Sequence, residues 1–217
     1  MSIDEIIENK EWLNGPKFLS YDKLRWPTQK VNGDVQLKEK KNSFFAKIIR
    51  AVIEPSRYSS WKKLYRRMSW ILRFISNCRS KVKERTSGPL SETEILNAEQ
   101  NLILATQKEI FSDEIEVLKK GQEVSPKSKI ACLNPIIGDD GLLRSNSRIN
   151  GAEFLNFDTR CPIILPRGTH TTQLIVKQYH EEGNHIKGVN GTLCDISSRF
   201  WVISAREEIR SWEAKCK

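Results

Sequence analysis

Residues 91–121, SETEILNAEQNLILATQKEIFSDEIEVLKKG, decide the fold class of this chain. Ser91 followed by Glu94 is a capping box, in which the hydroxyl caps the amide three residues on and the carboxylate reaches back. Behind it, Ile95, Ala98, Leu102, Ala105, Ile110, Ile115 and Leu118 lie broadly on one stripe, the pattern of a helix with one buried face. Lys119 and Lys120 suit the negative C-terminal end, and Gly121 stands where a helix-stopping glycine belongs. The pattern predicts a helix over about 92–120.

Immediately upstream, residues 59–79 carry a second amphipathic pattern. Leu64, Met68, Ile71, Leu72 and Ile75 recur at spacings of three and four, and Trp61 and Tyr65 extend the stripe. Lys62, Lys63, Arg66, Arg67 and Arg73 fall largely on other faces. Gly88-Pro89 then breaks the chain. The two helices are opposite in charge: residues 41–90 hold 13 basic and 2 acidic side chains, residues 91–125 hold 3 and 8, and the whole chain is +9. Such a pair most simply packs as a helical hairpin or short bundle. The basic block points to nucleic acid or another polyanion, with Lys62, Lys63, Arg66 and Arg67 as phosphate contacts. The alternative is a solvated face whose arginines cover the helix pair and complement the acidic helix.

Beyond Ser125-Pro126 the character changes. Asp139-Asp140-Gly141, flanked by Ile136-Ile137 and Leu142-Leu143, is a turn signal, and the aspartates belong to that turn rather than to a metal pair. Pro162-Ile163-Ile164-Leu165-Pro166 reads as a short apolar strand closed by prolines. Three short helices follow. The first runs over about 169–181 with Leu174 and Ile175 inward. The second starts near Asn190 and carries Leu193 and Ile196. The third starts at Ser204, with Glu207 completing a capping box, and carries Ile209 and Trp212. The expected fold class is α+β and predominantly helical: a helical connector, then a small three-helix module with a short hairpin-like entry.

A chain of 217 residues holds one domain or two small ones. The expected divisions are a turn-rich lead over 1–40, a connector over 41–125 and the module over 126–217. In the lead, Trp12, Phe18, Leu19 and Trp26 are too many large apolar residues for a free tail. No apolar run of about 18 residues occurs, so no transmembrane helix and no membrane partner are expected. The first residues lack the charged and apolar regions of a signal peptide. Five cysteines (Cys78, Cys132, Cys161, Cys194, Cys216) are odd in number and widely spaced, unlike a disulfide framework. An intracellular chain, nuclear or cytoplasmic, is the expectation.

His180 and His185 are separated by four residues, and thirty residues lie between His185 and Cys216. Neutral imidazole and thiolate suit Zn2+, which takes four such ligands in a tetrahedron. A Cys-x-x-Cys beginning at Cys216 needs its second cysteine two residues past Lys217. His170, Cys161 and Cys194 are the possible substitutes, although Cys194 reads as core and His170 as solvated.

These residues fall within a longer ordered series. Leu133-Asn134-Pro135, Asp140-Gly141-Leu142-Leu143-Arg144, Arg148-Ile149, Pro162-Ile163-Ile164-Leu165-Pro166, His180-x4-His185-x2-Gly188, Thr192-Leu193, Arg199-Phe200-Trp201 and Cys216 appear in one order. The series resembles the HHCC-type integrase zinc-binding domain of LTR-retrotransposon polyproteins, and is most similar to the Pao/BEL group. Upstream, Trp12-Leu13-Asn14-Gly15-Pro16-x-Phe18-Leu19 with Trp26-Pro27 looks like the exit of the RNase H region of those polyproteins. Arg73-Phe74-Ile75, Gly88-Pro89-Leu90, Glu94, Ala98-Glu99, Gln107 and Phe111 resemble the helical connection before the integrase. The resemblance implies zinc ligation by His180, His185 and Cys216. It also implies that Trp201 and Leu193 pack the small core and that Gly188 allows the tight backbone after the second histidine. Two departures stand out: the fourth ligand is missing, and Ser147 replaces the glycine usual before Arg148.

Nothing in the chain points to catalysis. There is no GxxxxGK[ST] phosphate loop and no Gly-x-Ser-x-Gly elbow. In the family the carboxylate-bearing integrase core lies beyond this segment. The leading expectation is a non-catalytic polyprotein piece that binds zinc and nucleic acid and assembles with other integrase or polyprotein segments. The alternatives are a metal-independent basic helical module for nucleic acid or protein, and a gene-model fragment without selected function.

Overall fold

The computed structural model describes residues 21–22, 53–146, 148–183, 187–214 and 216. The chain divides into two compact units, Met1–Ala46 and Lys47–Lys217, and every element below belongs to the second. The expected lead over 1–40, with Trp12, Phe18, Leu19 and Trp26, lies outside the described residues apart from Tyr21 and Asp22, as do Ser147 and His185.

Helix α1 spans Trp61–Arg79 and buries Trp61, Leu64, Met68 and Ile75, the stripe expected from the sequence. Helix α2 spans Glu92–Ile110, and its capping box at Ser91 and Glu94 is present in both directions. The two helices pack as the expected hairpin. Their connection is pinned by Asn77, whose amide donates to the Thr86 carbonyl at 2.8 Å while its oxygen accepts from the Thr86 N–H at 2.9 Å. Arg73 departs from its expected place on an outer face. It is 6% exposed because its guanidinium turns into the hairpin end. There it donates to Glu94 (Nε to Oε1, 2.7 Å) and to the carbonyls of Gly88 (2.6 Å) and Pro89 (2.8 Å).

The single helix expected over 92–120 is two. Phe111, at φ −114° and ψ 34°, separates α2 from α3, Ser112–Lys119. The break is a packing effect: Phe111 and Ile115 turn into a second core with Ile130, Leu143 and Ile164. The C-terminal stop is as expected. Gly121 has φ +71°, its N–H donates to Leu118 O at 3.0 Å and that of Gln122 to Val117 O at 3.1 Å, the paired bonds of a Schellman motif.

The sheet has four short strands, β1 Pro135–Ile137, β2 Leu143–Ser145, β3 Ile163–Leu165 and β4 Phe200–Val202, in the order β1-β2-β3-β4. β1 and β2 form the expected hairpin around the Asp139-Asp140-Gly141 turn. β3 runs antiparallel to β2. β4 pairs parallel with β3, so a helical crossover must join them. The short helix α4, Phe157–Arg160, precedes β3. The crossover holds α5, His170–Glu182, and α6, Gly188–Ser197; α7, Ala205–Glu213, follows β4. α5, α6 and α7 pack on one another as a three-helix group. The architecture is therefore α+β and mostly helical.

The sheet is covered on both faces. Ile163 and Leu165 point into the main core and Ile164 into the second, as the alternation of a strand requires. That is why β3 reads as an unbroken apolar run. The main core also crosses the expected 125/126 boundary. Trp61, Leu64, Met68, Ala98 and Ile103 from the connector share it with Leu174, Ile175, Ile196, Phe200 and Ile209.

Three local expectations in the helical group are corrected. α6 begins at Gly188, not near Asn190, because Gly188 itself makes the turn at φ +51°. Ser204 forms no capping box. It adopts φ 55°, ψ 41° with no side-chain cap bond, since the chain must turn sharply after Ile203 extends the β4 ladder (N–H to Leu165 O, 3.0 Å). Glu207 pairs instead with Arg167. Cys194 is exposed rather than core, because the inward residues of α6 are Thr192 and Ile196, one turn apart on the other face.

Candidate functional site

The candidate nucleic-acid residues lie on α1, whose apolar stripe is buried and whose opposite side therefore faces solvent. Lys62, Lys63, Arg66 and Arg67 are all exposed. They are not equivalent. Lys62 Nζ pairs with Glu182 Oε1 of α5 at 2.9 Å, and this bond raises the lysine's pKa. The Arg67 guanidinium sits 6.0 Å from the Tyr58 ring centroid. Lys63 and Arg66 make no ion pair among the described residues. Two aromatic residues on the same helix are also exposed, Trp70 at 50% and Phe74 at 66%. In the sequence Phe74 entered only within the Arg73-Phe74-Ile75 motif and Trp70 not at all, although their spacing from Arg66 and Arg67 puts them on the same outer face.

The candidate metal residues divide differently. His180 lies in the last turn of α5 and is 5% exposed. Cys216 follows α7 and is half-buried; its N–H donates to Trp212 O at 3.0 Å. α5 and α7 pack together, so both residues belong to one helical group, while His185 lies outside the described residues. Of the possible substitutes, Cys194 is exposed and the other two are engaged elsewhere. His170 is the first residue of α5, at the end opposite His180, and its Nε2 is 2.8 Å from Tyr58 O, so it is anchored rather than solvated. Buried Cys161 donates through Sγ to Asn150 Oδ1 at 3.3 Å. Among the described residues no group of three or more His, Cys, Asp or Glu side chains is arranged to hold a metal. The donor chemistry of His180, His185 and Cys216 suits zinc, and the set is one short of a closed tetrahedron. Trp201, implied to pack the small core, is instead 45% exposed, because it is the outward residue of β4 between buried Phe200 and Val202. Leu193 does pack against the main core.

A third constellation, missed in the sequence, is a chain of charges linking the connector to the module. Arg144 is 4% exposed. It donates to Asp140 Oδ2 (2.6 Å), Asp158 Oδ1 (2.8 Å) and Cys161 O (2.8 Å), over the Phe157 ring. Asp158 also faces Arg199 at 3.7 Å, and Arg199 donates to Glu99 Oε2 at 2.6 Å. Glu99 Oε1 accepts from Trp61 Nε1 at 3.0 Å. Burial opposes the Arg199 charge, but Glu99, with Tyr179 and Asp158 adding, outweighs it and the pKa lies above its ordinary value. Asp140, Arg144, Arg199 and Glu99 stand in the quoted motifs, but their pairing was not legible, because the members come from the hairpin turn, β2, α4, the residue before β4, α2 and α1. Each looks like an ordinary surface charge until the fold brings them together.

No helix among the described residues is long and apolar enough to cross a membrane. Compared with known proteins, the chain matches no family model, no curated protein and no solved structure.

Proposed function

We propose that the chain is a non-catalytic binding and assembly module of a retrotransposon integrase polyprotein, with a zinc-ligating C-terminal helical group and a basic helix for nucleic acid. The ordered motif series from Leu133 to Cys216 supports this reading. The observation that carries it is the packing of α5, whose last turn holds His180, against α7, which Cys216 follows. In this reading His180, His185 and Cys216 hold Zn2+, which would contribute folding free energy to the helical group. The partners are nucleic acid and other integrase or polyprotein segments.

The test is the zinc content of the purified chain by mass spectrometry, alone and extended by a cysteine two residues past Lys217. Zinc is expected in the extended form, with loss in His180→Ala and in Cys216→Ser. No zinc in either form, with no change in His180→Ala, overturns the metal reading.

A second reading is favoured by one observation. Ile209 of α7 is fully buried in a core shared with Leu64, Met68 and Ala98, so the helical group is held by protein contacts as well. A basic helical module that binds nucleic acid through Lys62, Lys63, Arg66 and Arg67 without metal is consistent with that. Nucleic-acid affinity unchanged by a chelator, but falling steeply with salt, distinguishes it from the first reading.

A further inference from the structure

The outer face of α1 carries more than charge. Lys63, Arg66, Arg67, Trp70 and Phe74 fall within about 100° of arc on one side of the helix. The buried stripe of Trp61, Leu64, Met68 and Ile75 occupies the other side. A half-exposed tryptophan and a two-thirds-exposed phenylalanine are costly to leave in water, and here they continue directly from the arginines. The Arg73 guanidinium lies 4.9 Å from the Trp70 ring centroid. Arg73 is itself locked to Glu94 and the Gly88 and Pro89 carbonyls. One face of the indole is thus backed by a fixed cation, which holds the ring while half of it stays open.

Resting on the nucleic-acid part of the proposed function, we infer that this face is a binding site for single-stranded nucleic acid. Trp70 and Phe74 stack on unpaired bases while Lys63, Arg66 and Arg67 contact the adjoining phosphates. The charge of the block, 13 basic against 2 acidic residues over 41–90, selects a polyanion. The two rings select among polyanions. Duplex bases close their faces by stacking on one another, whereas a single strand offers them. The rings are about 6 Å apart along the helix axis, a spacing that an unstacked strand can follow. In this site the cations take phosphates and the rings stack on any base, so binding is sequence-tolerant. DNA and RNA strands share the bases and phosphates that the site uses.

The test measures binding of the full chain to labelled single-stranded DNA, single-stranded RNA, duplex DNA of equal length, and poly-glutamate. Single strands are expected to bind about tenfold or more tighter than duplex or poly-glutamate. W70A/F74A is expected to lose about tenfold or more on the strands while its duplex binding and salt slope stay as they were. W70F retains most of the affinity, which separates ring stacking from a folding defect. K63Q/R66Q/R67Q lowers the salt slope on single strands by about 2. Equal affinity for single strand and duplex, or strand binding unchanged in W70A/F74A, overturns the stacking site and leaves the phosphate reading in place. Poly-glutamate bound as tightly as the strands also overturns stacking. If the chain binds no oligonucleotide at all, this site and the nucleic-acid function fall together.

Discussion

The side-chain amide of Gln107 holds both backbone polar groups of Leu143. Its Oε1 accepts the Leu143 N–H at 2.9 Å and its Nε2 donates to the Leu143 carbonyl at 2.9 Å. The same Nε2 donates to Ile164 O at 2.8 Å. Arg144 and Ile163 are partners in the β2–β3 register, so Leu143 and Ile164 are the next pair. At that pair a glutamine from α2 stands where direct ladder bonds would otherwise form. A buried backbone group without a partner is costly, and Gln107, fully buried, satisfies three at once. Gln107→Leu leaves all three unpaired and is expected to destabilise the protein by about 2–4 kcal/mol. Gln107→Glu, which loses the donor, should fall close behind. Urea unfolding of the three proteins measures this, and a Gln107→Leu variant of unchanged stability would sink the account.

Glu94 accepts from Arg73 and caps α2 through Ser91. The bond from Arg73, with the Ser91 bonds adding to it, lowers the carboxyl from its ordinary 4.5 to about 2. A depressed folded-state pKa contributes stability that is present above the ordinary value and is lost as pH falls through the folded value. The stability gap between wild type and Arg73→Met is therefore expected to be constant above about pH 5 and to narrow between pH 4.5 and 2. Denaturant midpoints at several pH values test it. A gap that widens towards acid contradicts the pairing.

Glu99 and Arg199 join α2 to the residue before β4, and Trp61 shares the carboxylate. Arg199→Met strands the Glu99 charge in a setting where its side chain is 10% exposed. The expected loss is about 2–3 kcal/mol, below that of a fully dry pair because Arg199 reaches solvent. Glu99→Gln/Arg199→Met should lose less than the sum of the single changes, with a coupling of about 1 kcal/mol or more. Additive losses would show that the two residues act separately.

Gly121 has nothing within 4 Å of where a Cβ would stand, so a side chain there meets no clash. Its φ of +71° still disfavours any L residue. Gly121→Ala is expected to cost about 1 kcal/mol through backbone conformation alone, while Gly121→Asn costs less. Thermal melts rank the two. Asparagine worse than alanine would mean that the left-handed stop is not what terminates α3.

The local features were legible because local chemistry makes them. The stripe of Leu64, Met68 and Ile75, the capping box at Ser91, the glycine stop at Gly121 and the hairpin at Asp139-Asp140-Gly141 each depend on neighbours within a few residues. What the sequence hid depends on distant partners. Phe111 breaks a helix only because a second core waits beside β2 and β3. β4 is three residues long and strand-like only through its parallel neighbour. Arg73 looks like any outer arginine until the Gly88-Pro89 carbonyls converge on it. At the candidate sites, the basic residues of α1 were legible by charge and periodicity. Trp70 and Phe74 were not, since the stripe at three-and-four spacing marks the buried face and an uncharged residue off it carries no signal of its own. Cys194 was misjudged as core: it stands two positions from both Thr192 and Ile196, on the opposite side of the helix.

The main core joins Ile53 to Ile209, while the segment around 120–127 between α3 and the hairpin is mostly exposed. A protease can reach that segment without touching the core. Cleavage there would cut the polypeptide and leave the assembly standing, with α1 and α2 clasped to the sheet by Gln107, Glu99 and their shared apolar contacts. Connector and module would then migrate as one particle on a sizing column and as two bands once denatured. Such a nick would mark the chain without setting either half free.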